Sequence, residues 1–335
     1  MKRILGILLV LLCATTLITG CSKGKEPQAK DELASVKVAS APKEKPTIEK
    51  VGFAIQKTDK AREPDAKNVI DLSNNKLTIT LKKGVKKIEL DMVLVQAGKF
   101  NMGDTEKELE QFKERLKAEF KEALKKNLNN TTLGIINTIV SLQGKQHEVT
   151  LTKPFYMGKY EVTQEQWEAV MGNNPSKTKG DKLPVTDVSW EYCQDFIKKL
   201  NEKTGGECRL PTEADWEYAC RAGTTTAYSF GDKITPKDGN YRDSKIGEPV
   251  AVGSYKPNAF GLYDMHGNVS EWCEDWYGEY PSAVTDPTGP AIGRGHVLRG
   301  GSFNSQGLTT RSSDRTDNSP ANRHIGDGFR LAKTK

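Results

Sequence analysis

The sequence predicts an α+β domain, rich in ordered loop, that carries one inserted amphipathic helix and is reached through a long N-terminal approach. Three observations predict it. Apolar residues alternate with period two between Leu77 and Leu94; short capped helical patterns fill residues 163–221; and from Thr224 onward glycine, proline, asparagine and aspartate dominate without any helix-length period.

The approach comes first. Residues 1–20, MKRILGILLVLLCATTLITG, set Lys2 and Arg3 before an apolar run from Ile4 to Leu12 and end on small residues, as a secretory signal does. The run is too short for a stable spanning helix. It closes on Ile18-Thr19-Gly20-Cys21, which resembles the lipobox of bacterial lipoproteins. That resemblance implies cleavage before Cys21, lipid on the new N-terminus and a place in the cell envelope. Ser22, where an aspartate would retain the protein at the inner membrane, implies the outer membrane. Acyl chains anchor at about 0.8 kcal/mol per buried methylene, so several of them hold a chain without a spanning segment. After residue 20 no apolar run approaches the roughly 20 residues that a span requires.

Residues 21–68 are expected to be a flexible tether. Their first half is Lys-, Glu-, Pro-, Ala- and Ser-rich with almost no aromatics, and such a segment buries too little apolar area to offset its chain entropy. Loss of Lys2 and Arg3 with the signal lowers the formal charge from +6 to +4, which is modest. No basic stripe is interleaved with aromatics, so nucleic acid is excluded as a partner.

The exported part holds Cys193, Cys208, Cys220 and Cys273. Outside the cytosol four cysteines allow two disulfides in any of three pairings, or they remain inert buried thiols. Zinc is disfavoured. No C-x-x-C pair exists, and His147, His266, His296 and His324 lack ligand spacing.

The domain proper is expected over 69–335. Leu77, Ile79 and Leu81 alternate with threonines after the turn-like Asn74-Asn75, and Ile88, Leu90, Met92 and Leu94 continue the period, so both segments read as strands. An insertion follows at 104–146. Within it Leu109, Phe112, Leu116, Phe120, Leu124 and Leu128 recur at spacings of three or four, an amphipathic helix of about five to seven turns. A second apolar patch runs from Leu133 to Leu142. Packing on its own domain is the expected role, because the mixed charges weaken a membrane-surface or partner-binding alternative.

Three short helices come next. Thr163 and Gln166 form a capping box before Trp167; Ser189 caps a helix that stops at Gly205-Gly206; Thr212 caps a third bearing Trp216 and Cys220.

Six blocks along this stretch carry a resemblance. They are EVTQEQWEAVMGNNPS (161–176), LPVTDVSWEYCQDFIKKLNEKTG (183–205), RLPTEADWEYACRAGT (209–224), NAFGLYDMHGNVSEWCEDWY (258–277), LRGGSF (298–303) and DGFRLA (327–332). Their order and spacing resemble the formylglycine-generating enzyme, or sulfatase-modifying factor, family over roughly 86–333. The resemblance implies a C-type-lectin-like α+β fold; the segment 104–146 departs from it, because family members have a brief loop there.

Calcium is the expected cofactor. In D-x-x-G-N-x-x-E, Asp264 and Glu271 bracket Gly267 and Val269, and hard calcium accepts carboxylates together with backbone carbonyls. The family resemblance places a calcium site at these four positions. It starts a second one at Asn240 and Tyr241, with Asp243 a guess for its carboxylate. The alternative is that Asp264 caps a turn and Glu271 pairs with an arginine. Trp272, Trp276 and Tyr277 would then supply core area.

The family's own chemistry is missing from this chain. The formylglycine-generating enzyme oxidises a cysteine of an unfolded sulfatase with copper held by two cysteines after the R-G-G-S block. Here Ser305 and Thr310 stand at those positions, and no cysteine follows Cys273. Hydroxyls do not replace soft thiolates on Cu(I), so no copper is expected. Ser302 matches a family active-site serine but has no metal to work with. An iron-dependent thiol-histidine oxidase is disfavoured because the insertion contains no histidine, and no Gly-x-Ser-x-Gly motif supports a serine hydrolase.

Two function classes remain. The first is a lipid-anchored binding or scaffolding module for a protein, peptide or glycan. The second is an enzyme using other cleft residues, with Ser302, Arg299, Arg311, Arg315 and Asp314 as polar candidates. Folds outlast chemistries, which favours the first.

Overall fold

The structure, a computed structural model, describes residues 66–71, 76–83, 86–125 and 127–335. The signal, Cys21 and the tether up to residue 65 lie outside the described residues. Strands β1 (Ala66–Asp71), β2 (Lys76–Lys83) and β3 (Lys86–Val95) form an antiparallel meander, so the first strand starts at Ala66 rather than 69. Period two explains it. Ile79, Leu81, Ile88, Leu90 and Met92 are buried while Glu89 is exposed, which turns one face of the meander to the core.

Next in the chain come β4 (Gly98–Met102), α1 (Glu106–Leu124), α2 (Asn130–Ser141), β5 (His147–Leu151) and β6 (Phe155–Gly158). The insertion is a helical hairpin, not one helix followed by an unassigned patch. A Thr105–Glu108 capping box opens α1, Lys125 ends it at φ 51°, and the Asn129 side chain caps α2 by accepting from the Thr132 N–H at 2.8 Å. Leu128 therefore falls between the two helices.

Helices α3 (Gln164–Met171), α4 (Trp190–Thr204) and α5 (Glu213–Arg221) start at Thr163, Ser189 and Thr212, the three caps read from the sequence; β7 (Cys208–Arg209) lies between α4 and α5. Beyond Arg221 only short helical turns and strands occur: β8 (Ser270–Trp276), β9 (Ala283–Thr285), β10 (His296–Arg299), β11 (Arg315–Asn318), β12 (Asp327–Gly328) and β13 (Ala332–Thr334).

Three sheets result, in the orders β1-β2-β3-β6-β13-β7, β11-β10-β8-β12 and β4-β5-β9. One apolar core holds Trp167, Phe196, Phe329 and Trp272 behind β2 and β3; a second holds Val149, Phe155, Trp216, Cys220 and Cys273. A small satellite core of Phe112, Leu116, Ile136 and Leu308 fastens the hairpin to the loop before β11. No helix among the described residues is long and apolar enough to cross a membrane.

Candidate functional site

The loop after β10 is folded around Gly301. Its φ of +67° suits glycine, and a Cβ there would meet the Thr309 carbonyl oxygen at 2.5 Å, Thr310 Cγ2 at 2.8 Å and Ser305 Cβ at 3.2 Å. Ser305 and Thr310 are thus brought together over one glycine. The Ser302 N–H donates to Ser305 Oγ at 2.9 Å, and Ser302 itself is buried. Thr310 has no exposed surface, and its hydroxyl donates to the Gly307 carbonyl at 2.9 Å. Its own carbonyl lies 2.8 Å from His266 Nδ1, so that nitrogen carries the proton and Nε2 accepts the Ser229 N–H at 3.1 Å. Burial pushes His266 down to about 4, which keeps the ring neutral. Between the two hydroxyl residues, Leu308 packs under Phe112 and Leu116 of α1.

A second cluster forms where β8 begins. Arg330 Nε and Nη2 donate to Glu271 Oε2 and Oε1, both at 2.6 Å, and Trp216 Nε1 donates to Oε2 at 2.7 Å. Arg330 also holds the Gly158 and Tyr263 carbonyls, at 3.0 and 2.9 Å. Glu161, not singled out as a site residue above, stands beside this pair and accepts from the Asn268 side chain at 2.8 Å and the Val269 N–H at 3.2 Å. Three carboxylates, Glu161, Asp264 and Glu271, share one guanidinium. Burial first and the neighbouring Asp264 and Glu271 next raise Glu161 well above the carboxylate range, and burial raises Asp264 to about 6. Asp264 Oδ2 accepts the Gly253 N–H at 2.6 Å, while its buried Oδ1 has no hydrogen-bond partner.

Both readings of D-x-x-G-N-x-x-E find support here. Glu271 pairs with an arginine, as the alternative required. Yet the cluster carries surplus negative charge and an orphaned carboxylate oxygen, the residue chemistry that suits a hard divalent cation. Glu271 Oε1 accepts only once, which leaves it a lone pair. Among the described residues no three His, Cys, Asp or Glu side chains converge to hold a metal, so a site at this place must draw on backbone carbonyls. Around the second expected position Asn240 braces its own loop: its amide donates to the Glu248 carbonyl at 2.9 Å and to Asn268 Oδ1 at 3.3 Å. Tyr241 is buried and donates to the Ile234 carbonyl at 3.4 Å, and Asp243 sits apart in the helical turn 242–244.

Most of the arginines proposed for the cleft are core residues instead. Arg299 is 1% exposed; it pairs with Glu217 and donates to the Ser312 and Ser313 carbonyls at 2.8 Å each. Arg315 forks onto Glu213 with two bonds of 2.7 Å and lies 4.1 Å from the ring centres of Tyr277 and Tyr280. A buried guanidinium needs a carboxylate, and α5 supplies Glu213 and Glu217 on its inner face. Only Arg311 lines a cleft. It holds Asp104 at 2.7 Å and lies 4.6 Å from the centre of the Phe112 ring. Asp104, which the sequence reading treated only as the start of the insertion, also accepts from Ser313 Oγ.

Burial raises Asp275 to about 8 and Asp314 to about 7, each reinforced by a neighbouring carboxylate, Glu213 and Asp104 respectively. A carboxyl whose folded value is raised leaves stability intact below its unfolded value near 4, and that stability is lost as pH rises through the folded value. We therefore expect urea midpoints to fall between pH 4 and pH 8. The fall should be smaller in Asp275→Asn/Asp314→Asn; equal slopes in both proteins would show that neither carboxyl stays protonated.

Cys193, Cys208, Cys220 and Cys273 are buried and unpaired, so the thiol alternative holds and no disulfide forms among them. Burial pushes Cys220 up to about 12 and Cys208 to about 11, which leaves both as thiols. Trp272 is a core residue whose indole N–H donates to the Val188 carbonyl at 3.1 Å. Trp276 instead stacks on His296, whose other face meets Trp190, with both pairs of ring centres 3.9 Å apart.

Known proteins are similar to the chain over part of its length. Formylglycine-generating enzyme of Thermomonospora curvata is 35% identical over 189 residues, covering 50% of this chain and 60% of that protein. Chaperone protein LppX of Paenibacillus barcinonensis is 36% identical over 182 residues, covering 38% and 64%. Both matches span less than two thirds of the relative's length. Among solved structures, Treponema denticola variable protein 1 superposes with a TM-score of 0.61 at 28% identity, over 76% of this chain and 98% of that one. The Sulfatase-modifying factor enzyme 1-like domain family matches residues 80–335, which include the Gly301 loop, the Arg330 cluster and the inserted hairpin, and the chain belongs to that family.

Proposed function

We propose that the chain is a lipid-anchored binding or scaffolding module of the bacterial cell envelope, built on a sulfatase-modifying-factor-like domain that has given up oxidation chemistry. One observation carries the reading: the loop holding Ser305 and Thr310 offers hydroxyls in place of thiolates, and it lies beneath the inserted hairpin, with Thr310 sealed and Leu308 under Phe112. Soft Cu(I) has no ligand pair there. The name of one relative, chaperone protein LppX, supports a role in which this domain holds another chain. Lipid on Cys21 would tether the domain at the outer membrane.

Calcium belongs to the same reading. Asp264, the carbonyls of Gly267 and Val269 and the remaining lone pair of Glu271 would hold it, and it would neutralise the surplus carboxylate charge around Arg330.

Metal analysis of the purified exported part, residues 22–335, tests both claims. Calcium is expected, with copper far below one per chain and no consumption of a cysteine-containing peptide after Cu(I) is added in air. Copper bound one to one with thiol oxidation would overturn the non-catalytic reading. Chelation should lower the melting temperature, since a ligand at 100 times its dissociation constant stabilises by about 2.7 kcal/mol. An unchanged melting temperature in the chelator would remove calcium from the account.

A further inference from the structure

The inserted hairpin forms one wall of a cleft. It encloses about 660 Å³ between α1, the end of β4, the loop 225–232 and the loop 308–311. Lys107, Glu108, Gln111, Phe112 and Arg115 line its helical wall, and their spacing is that of a single face. Phe112, Leu308 and Arg311 are buried at its base, and the rim is polar and exposed.

Charge is distributed unevenly. Lys107 and Arg115 are exposed and make no ion pair among the described residues. The acids nearby are partly committed. Glu108 Oε2 accepts the Thr105 N–H at 2.8 Å and its hydroxyl at 2.7 Å, and Asp232 accepts the Ala227 N–H at 3.4 Å. Arg311 is matched by Asp104. Two cations therefore stand along one wall with no ion pair among the described residues, about 12 Å apart by the rise of eight helical residues. Asn101, Gln111 and Gln146 add exposed side-chain amides around the same opening.

We propose that this cleft binds an extended acidic peptide segment of about four residues, a length that spans 12 Å at about 3.3 Å per residue. Its carboxylates pair with Lys107 and Arg115, and its backbone groups meet the rim amides, which donate and accept as peptide groups do. A sugar chain fits less well. Saccharides favour an open aromatic face, and the ring lining this cleft, Phe112, is 2% exposed with the Arg311 guanidinium beside it. The inference rests on the reading of the domain as a binding module and assigns that module its site.

Fluorescence anisotropy on residues 22–335 at low salt tests it, with labelled octapeptides of alternating Gly and Asp, Gly and Lys, or Gly and Ser, and with a galacturonate oligosaccharide as a carboxylated sugar. The Gly-Asp peptide should bind and the other three should not. Lys107→Glu/Arg115→Glu should weaken binding at least tenfold. Lys198→Glu/Lys199→Glu, the same change of charge at exposed positions on α4, should leave it within twofold. No binding of the Gly-Asp peptide, equal losses in the two double variants, or preference for the galacturonate would each overturn the site. Such a failure with copper absent leaves the non-catalytic reading standing, so the two claims fall separately.

Discussion

Arg330→Ala is expected to destabilise the domain by about 3–5 kcal/mol, the range for removing one partner of a buried ion pair. The side chain has no exposed surface and joins three places: Glu271 on β8, the Gly158 carbonyl at the end of β6 and the Tyr263 carbonyl. Without it, the Glu271 carboxylate keeps, among the described residues, only the Trp216 N–H, and Glu161 and Asp264 lose the Arg330 charge that acts on them. A lysine would not restore the pair, because its single ammonium cannot make the two-pronged contact. Urea denaturation at constant pH measures the loss. A midpoint shift equivalent to less than about 1 kcal/mol would mean that the pair contributes no more than a surface salt bridge. Removing both partners, in Glu271→Gln/Arg330→Met, should cost less than the arginine alone, since the Glu271 charge goes with its partner and one buried carboxylate fewer is left uncompensated.

Phe112→Ala should act on a smaller unit. The ring is 2% exposed, and truncating a buried phenylalanine costs about 3–5 kcal/mol. That ring sits in the satellite core which fixes the hairpin to Leu308, so the loss should appear as local undocking rather than as global unfolding. Hydrogen exchange is the readout. Amides of α1 and α2 should exchange about two to three orders of magnitude faster, while those of β8 and β10 keep their protection. Equal acceleration in all four elements would show that the hairpin and the body unfold together. The undocked variant should also lose the peptide cleft, whose wall is α1.

The sequence made local chemistry legible and left distant partners hidden. Thr163 with Gln166 and Thr212 with its helix were readable because a capping box spans only four residues. The leucine and phenylalanine spacing announced α1, but nothing local said that Phe112 would meet Leu308 almost two hundred positions later. The acidic motif was visible at Asp264 and Glu271, whereas its counter-ion lay in the final block, DGFRLA, and its third carboxylate in the first, EVTQ. Arg299 and Arg315 looked available because arginine is normally a surface residue; α5 turned two glutamates inward to receive them. The cysteines could not be decided from composition, since pairing depends on Cβ geometry that only the fold fixes.

The largest sheet is bridged in its interior by a three-residue strand. Strand β13, the last in the chain, lies between β6 and β7, with the meander β1–β3 beyond β6. Ala332–Thr334 therefore close a gap inside the sheet rather than extend its margin. Without Ala332–Thr334, β6 and β7 have no bridge between them, so loss of these three residues would cut the hydrogen-bonded link from the meander side of the sheet to β7.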